Sequence, residues 1–232
     1  MENNSENILE TFLHTDEHRN IRSKMSLSNQ ISKYNRDRKW KIFLKEMSPV
    51  ATTRVLDIGF SENEYSQVDN YIEKHYPFQN MLTALGIACP IRFKERYPNV
   101  GIIQYDGGQF PFADKGFDIA WSNAVIEHVG NHDRQLIFIK EIKRVSKRAF
   151  ITTPNRYFPA EVHTRTPFLH YLPKPVFDKY LTLIGKGWAS GEYMHLLSQN
   201  EIKSLLAEAG IANFKIIKNR IAGLVLDFVI IF

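Results

Sequence analysis

An α/β fold built on a mostly parallel sheet is what this 232-residue sequence predicts. From Arg54 onward, short apolar runs alternate with polar, helix-compatible stretches, the order in which strands and crossover helices succeed one another. The runs are also continuously apolar, as strands covered on both faces require. With 44% apolar and 24% charged residues, the composition is that of an ordinary globular chain long enough for one main core.

The first segment, Met1 to Lys24, is rich in Asn, Glu and His and holds no uninterrupted apolar stretch, so it reads as neither a signal peptide nor a membrane helix. Residues 1–27 are expected to form a flexible tail and residues 28–232 a single domain. Lys33, Arg36, Arg38, Lys39, Lys41 and Lys45 then share a helical segment with Ile31, Tyr34, Trp40, Ile42, Phe43, Leu44 and Met47. Two readings of it stay open: a helix with a wet basic face over the sheet edge, or a helix that binds a polyanion.

Five strand-like runs follow: Val55 to Ile58, Met81 to Ile87, Val100 to Tyr105, Phe117 to Ser122 and Ala149 to Thr152. Leu136, Ile137, Ile139, Ile142 and Val145 recur at helical spacing between the fourth and fifth and predict a crossover helix. Pro154 to Tyr193 breaks the alternation with five prolines and many aromatics, and reads as an insertion over the carboxyl ends of the strands. Ser198 and Glu201 make a capping box for a helix that buries Ile202, Leu205 and Leu206 and stops at Gly210. Asn213 to Ile221 and Leu224 to Phe232, separated by Ala222-Gly223, predict a closing hairpin.

The net charge of +5 permits attraction to nucleic acid, anionic lipid or phosphorylated ligands without specifying any of them. The one cysteine, Cys89, has no intramolecular partner, and no paired Cys/His set offers a zinc site, so the cytoplasm is the expected compartment. The apolar segment within residues 167–184 leaves packing on the core, gripping a hydrophobic acceptor and peripheral membrane contact open.

Chemistry concentrates at Val55-Leu56-Asp57-Ile58-Gly59, an apolar run ending in Asp-x-Gly, where a parallel strand delivers the chain to a nucleotide-type ligand. A Gly-x-Gly-x-x-Gly continuation would indicate an NAD-dependent oxidoreductase; here Gly59 is followed by Phe60, Ser61, Glu62, Asn63 and Glu64. Together, VLDIG, YDGGQFPFADKGFDIAWSNAVIEHV and the terminal helix plus hairpin resemble a class I S-adenosylmethionine-dependent methyltransferase. The resemblance covers about Arg54 to Phe232. NYIEKHYP, LTALGI and TTPNRYFPAEVHTRTPFLHYLP are similar to a small-molecule and glycan-modifying group with a glycine-poor first loop.

The resemblance implies a Rossmann-like seven-stranded sheet of order 3-2-1-4-5-7-6, the last strand antiparallel, with a lid inserted after strand five. It implies S-adenosylmethionine as cofactor and S-adenosylhomocysteine as product. Cofactor contacts are expected from Asp57, Gly59, Phe60, Gly86, Ile87, Asp106, Gly107, Gly108, Ser122 and Asn123. Asp57 stands where the family's acid meets the methionine end, and Asp106 where a carboxylate accepts from the adenine amino group. For both, a turn-forming role is the open alternative. Phe110-Pro111-Phe112 is placed beside the adenine or in the core.

At the second-strand end the family places an acid for the ribose hydroxyls, and here that position is Gly86; Glu62, Glu64 and Glu73 are the carboxylates near enough in sequence to replace it. His128 and His163 are candidate bases for an acceptor hydroxyl, with helix packing and lid structure as their alternatives. Asn155, Arg156, Glu161, His163 and His170 are expected on the acceptor side. No metal is expected, since Asn123 occupies the place of one metal-binding acid. The expected reaction is methyl transfer to a small-molecule or glycan acceptor, at oxygen. A methyltransferase-like regulatory protein and an RNA-directed enzyme remain the alternatives.

Overall fold

The computed structural model describes residues 27–161, 166–167, 172–187 and 194–232. The expected tail up to residue 26, and His163 and His170, lie outside them. The chain runs α1 (Leu27–Met47), β1 (Val55–Ile58), α2 (Tyr71–His75), β2 (Leu82–Gly86), α3 (Ile91–Arg96), β3 (Gly101–Gln104), β4 (Phe117–Asn123), α4 (His132–Val145) and β5 (Ser146–Pro154). After β5 come a two-residue ribbon pairing Ala160–Glu161 with Thr166–Pro167, then α5 (Lys174–Leu183), α6 (Gln199–Glu208), β6 (Lys215–Ile221) and β7 (Leu224–Ile231).

The seven strands pair in the order β3-β2-β1-β4-β5-β7-β6. Strands β1 to β5 are mutually parallel, whereas β7 runs antiparallel between β5 and β6. This is the predicted topology, and the reversal at β1 and β4 opens a crevice at their carboxyl ends. Ala222 and Gly223, at φ 49° and 83°, turn the predicted hairpin. The predicted capping box is present: the Ser198 hydroxyl accepts from the Glu201 amide at 3.3 Å, and Glu201 accepts from the Ser198 amide at 2.7 Å.

Side-chain alternation along the strands splits the core in two. Leu56, Ile58, Ala120 and Ile151 pack under α4 and α6, while Val55, Ile119, Trp121 and Phe150 pack under α1, α2 and α3. In α4 the buried residues are Gln135, Phe138, Ile139, Ile142 and Val145, and Ile137 is exposed, so Phe138 takes the place expected for Ile137. The strand pattern cannot see this one-position rotation, which is set by how α4 lies against α6.

Helix α1 keeps a wet basic face at Lys33, Lys41 and Lys45 but differs from the expectation in its place and at Lys39. It lies on the sheet face, where Phe43 makes edge contacts with Trp121 at 4.9 Å and Phe150 at 5.4 Å between ring centres. Lys39 is buried, with Nζ 3.2 Å from Asp227 Oδ2. Burial pushes the Lys39 pKa down, opposed chiefly by Asp227. The Asp227 carboxylate also accepts from Asn35 and Asn219, at 2.8 and 2.9 Å. Thr152 continues the chain of bonds, its hydroxyl donating to Asn123 Oδ1 at 2.7 Å and lying 3.4 Å from Lys39 Nζ. A polar seam therefore joins α1 to the tips of β4, β5 and β7.

Helix α5 buries Phe177 and Leu181 and exposes Leu172, Val176, Leu183 and Ile184 at its flanks. No described helix is long and apolar enough to cross a membrane.

Candidate active site

Gly59 follows β1 at φ 101°, and a Cβ there would lie 2.4 Å from Val125 Cγ2. Its N–H donates to the Leu85 carbonyl at 2.8 Å, tying the first loop to β2. The glycine is thus needed twice, for the backbone conformation and for the close approach of the β1 and β4 loops.

Asp57 is 5% exposed and faces Glu73 of α2, which is fully buried. Among the described residues no side chain donates to either Glu73 oxygen, an arrangement that favours a protonated Glu73 able to donate to Asp57. Desolvation raises the Asp57 pKa to about 6, with Glu73 and Arg36 opposing; desolvation and then the Asp57 charge hold Glu73 well above the carboxylate range. The carboxyl of Asp57 is therefore turned into α2 instead of opening directly on the crevice.

The native chain retains protons on this pair that the unfolded chain releases, so the pair's stabilisation is present in acid and is lost as pH rises through about 6 and beyond. Glu73→Gln gives Asp57 a permanent amide donor. Its denaturant-measured stability should exceed that of the wild type at about pH 8 and converge with it near pH 4. An equal decline in both proteins would exclude the retained proton.

The β2 and β3 ends form the second wall. Ile87 is 53% exposed, and its Cγ2 is 3.9 Å from where a Cβ on Gly107 would stand. Gly107 has φ 84°, and Asp106 Oδ1 accepts from the Gly108 amide at 2.9 Å. Asp106 is thus both a turn former and an exposed carboxylate, with no donor to Oδ2 among the described residues. An apolar edge beside a single acceptor and flexible backbone suits the adenine end of the cofactor. Phe110 is 2% exposed, packed edge-on against Tyr105 and Phe138, and Phe112 packs on Phe117, so these rings belong to the core and do not wall the adenine.

The ribose position carries no acid. A Cβ on Gly86 would fall 2.7 Å from the Phe60 ring, which is buried against Phe93 at 4.5 Å between centres. Phe60 thus fills the volume a longer residue at position 86 would need. None of the three replacement carboxylates is available. Glu62 accepts from the amides of Arg92 and Phe93 at 2.7 and 3.1 Å, capping α3. Glu64 binds Tyr97, Asn70 at 3.0 Å and Lys74 at 2.9 Å. Glu73 is closed against Asp57. Each is used to order the loop and helices beside the site.

At the β4 end, Asn123 and Ser122 point to opposite faces. Asn123 is half-buried, and with Oδ1 held by Thr152 its amide donors remain for a ligand. The Ser122 hydroxyl is buried on the α4 side, away from Asn123, with no partner among the described residues. Ile126–His128 then forms a single 3-10 turn. Glu127 is fully buried and accepts from Thr153 Oγ1 at 3.0 Å, while His128 is half-buried. The turn is fixed by Gln135, which donates to the Ile126 and His195 carbonyls at 3.2 and 3.0 Å, and by the His195 amide, which donates to the Glu127 carbonyl at 2.7 Å.

Two expected acceptor residues also carry structural ties. Asn155 donates to the Val225 carbonyl at 2.9 Å and accepts from the Tyr157 amide at 3.2 Å, and Arg156 pairs with Glu201 at 2.6 Å. They moor the insertion to β7 and α6. Glu161 lies in the short ribbon. Arg36, half-buried on α1, has Asp227, Asp69, Glu127 and Asp57 among its charged neighbours.

Residues 70–149 match the family model described as a methyltransferase domain. No curated protein matches the sequence at a significant level. Among solved structures, the chain is similar to a Thermotoga maritima S-adenosylmethionine-dependent methyltransferase, described as a possible histamine N-methyltransferase. The identity is 16% and the TM-score 0.56, with 97% of this chain and 96% of that one covered. A Methanosarcina mazei S-adenosylmethionine-dependent methyltransferase aligns at 19% identity and TM-score 0.51, over 81% of this chain and 95% of the other. The N-terminal domain of EvdMO1, solved with S-adenosylhomocysteine bound, aligns at 16% identity and TM-score 0.50, over 85% and 79%. At these identities the neighbours establish the fold, and the domain match adds the chemistry. The sheet order is that of class I S-adenosylmethionine-dependent methyltransferases, and the matched domain supports methyl transfer from S-adenosylmethionine.

Proposed function

We propose that the enzyme methylates a hydroxyl of a small-molecule or glycan acceptor, with His128 as the base. The observation that carries this reading is the tip of β4, where the Asn123 amide and the braced turn bearing His128 stand together beside the Gly59 loop. S-adenosylmethionine supplies an activated methyl group on its sulfonium. The protein then has to hold the acceptor oxygen in line, exclude water and receive one proton.

Asn123 is suited to orient the acceptor oxygen, and the imidazole of His128 to accept its proton near neutral pH. Supporting a compact acceptor over RNA, the basic helix turns Lys39 inward onto Asp227, which removes part of a polyanion-binding face. Incubating the enzyme with methyl-labelled cofactor and a panel of hydroxylated metabolites and glycans, with the labelled carbon read by NMR, tests the acceptor atom. His128→Ala should lower kcat by about a hundredfold or more with S-adenosylhomocysteine affinity unchanged. A label recovered only on nitrogen, or full activity in the variant, would overturn the reading.

A further inference from the structure

The α1-facing side of the sheet changes character at the strand tips. Trp121 of β4 and Phe150 of β5 stack at 5.0 Å with ring planes 3° apart, and Phe43 of α1 closes over both. Side chains two residues further on return to the same face, so Asn123 and Thr152, paired in register, form the next row. Thr152 is fully buried and Asn123 half-buried. Polar groups in such a place are costly unless each is bonded.

The hydrogen bonds in this row run in one direction. Lys39 is anchored by Asp227, with Nζ 3.2 Å from Oδ2, and the same carboxylate accepts from Asn35 and Asn219. An ammonium can only donate, so Lys39 Nζ, 3.4 Å from Thr152 Oγ1, meets a lone pair of that hydroxyl. The one hydroxyl proton is left for Asn123 Oδ1, 2.7 Å away. Only an oxygen can accept it, which fixes the Asn123 amide with its oxygen on Thr152 and its N–H bonds turned away. Among the described residues those N–H bonds have no acceptor.

We propose that Lys39 and Thr152 are positioning residues that set the polarity of the crevice at the tip of β4, holding Asn123 as a hydrogen-bond donor to the ligand. The site then favours an oxygen with free lone pairs and disfavours a protonated amine, whose N–H bonds would face those of Asn123. This selectivity rests on the reading of Asn123 as the residue beside the reacting oxygen. The orientation of the amide does not depend on it.

Two measurements on the full chain test the proposal, and neither requires the acceptor. In heteronuclear NMR the Asn123 side-chain amide is identified by its loss in Asn123→Asp. Thr152→Ser, which keeps the hydroxyl, should leave this pair of signals near its wild-type position, whereas Thr152→Val should shift or broaden it. Calorimetry then compares S-adenosylhomocysteine with sinefungin, an analogue that carries an amino group, protonated at neutral pH, in place of the transferable methyl. In Thr152→Val the amide is free to turn its oxygen to the crevice and accept from that ammonium. Sinefungin should gain on S-adenosylhomocysteine by about fivefold or more, while Thr152→Ser keeps the wild-type ratio. Lys39→Met lets the Thr152 hydroxyl rotate and should move the ratio the same way in smaller measure, even where Thr152→Val fails to fold. Amide signals unchanged in Thr152→Val overturn the proposal. So does an unchanged ligand ratio, whether both ligands weaken together or neither does. Methyl label recovered only on nitrogen would overturn the oxygen reading and leave the NMR result standing, so the two failures are told apart.

Discussion

Gly59→Ala is expected to destabilise the enzyme by about 2–5 kcal/mol, the sum of a left-handed backbone penalty and overpacking of a closed contact. The methyl group would enter at φ 101° and lie 2.4 Å from Val125 Cγ2. Val125 has little room to retreat. It follows Ala124, itself at φ 58°, and leads into the turn that Gln135 and the His195 amide clamp. Retreat of the first loop instead would stretch the Gly59 N–H bond to Leu85. Because Gly59 sits at the crevice, S-adenosylhomocysteine affinity should fall along with stability. Denaturant unfolding and calorimetry measure the two effects. The double variant Gly59→Ala with Val125→Ala removes the side-chain clash and keeps the backbone strain, so it should recover part of the loss. A stability change below about 0.5 kcal/mol in the single variant would remove Gly59 from this role.

Asp227→Ala should be about as damaging, near 3–5 kcal/mol, because it leaves the Lys39 ammonium buried without its counter-charge. Lys39→Met is expected to cost less, since Asp227 retains the Asn35 and Asn219 donors and the methionine stem fills similar volume. Combining the two should be less harmful than the sum of the single effects, because the double variant leaves no lone buried charge at this position. Urea unfolding of the four proteins gives the coupling. Strict additivity would mean that Lys39 and Asp227 do not act as a pair.

The sheet was legible because its strands are continuous apolar runs and its punctuation is chemical. Ser198 and Glu201 mark a helix start, Gly210 its end, and Ala222-Gly223 a reversal, each through bonds or dihedrals local in sequence. The strand-end position of Asp57, Gly59 and Asp106 was equally readable. What their carboxylates do was not. The partner of Asp57 comes from α2, and Asp106 serves its own turn while exposing a second oxygen.

The inward turn of α1 escaped the sequence because the residue that draws Lys39 into the core, Asp227, lies near the other end of the chain. A charge pattern along one helix carries no record of such a partner. Glu62 shows the same limit. By sequence it is a free carboxylate near the ribose position, and by structure it is the cap of α3.

That cap bears on how the enzyme meets its cofactor. The loop after Gly59 is fastened by the chain's own groups: Glu62 to the first amides of α3, Asn63 to the Arg92 guanidinium at 2.7 Å, and Asn70 to both the amide and the carbonyl of Ser61 at 2.8 Å. Glycine-rich loops surrender backbone freedom when they close on a ligand, at about 1–2 kcal/mol for each residue that becomes fixed. Here that ordering took place during folding. Cofactor association is thereby nearer to rigid docking, with preorganisation offsetting some of the affinity forgone at the acid-free ribose position.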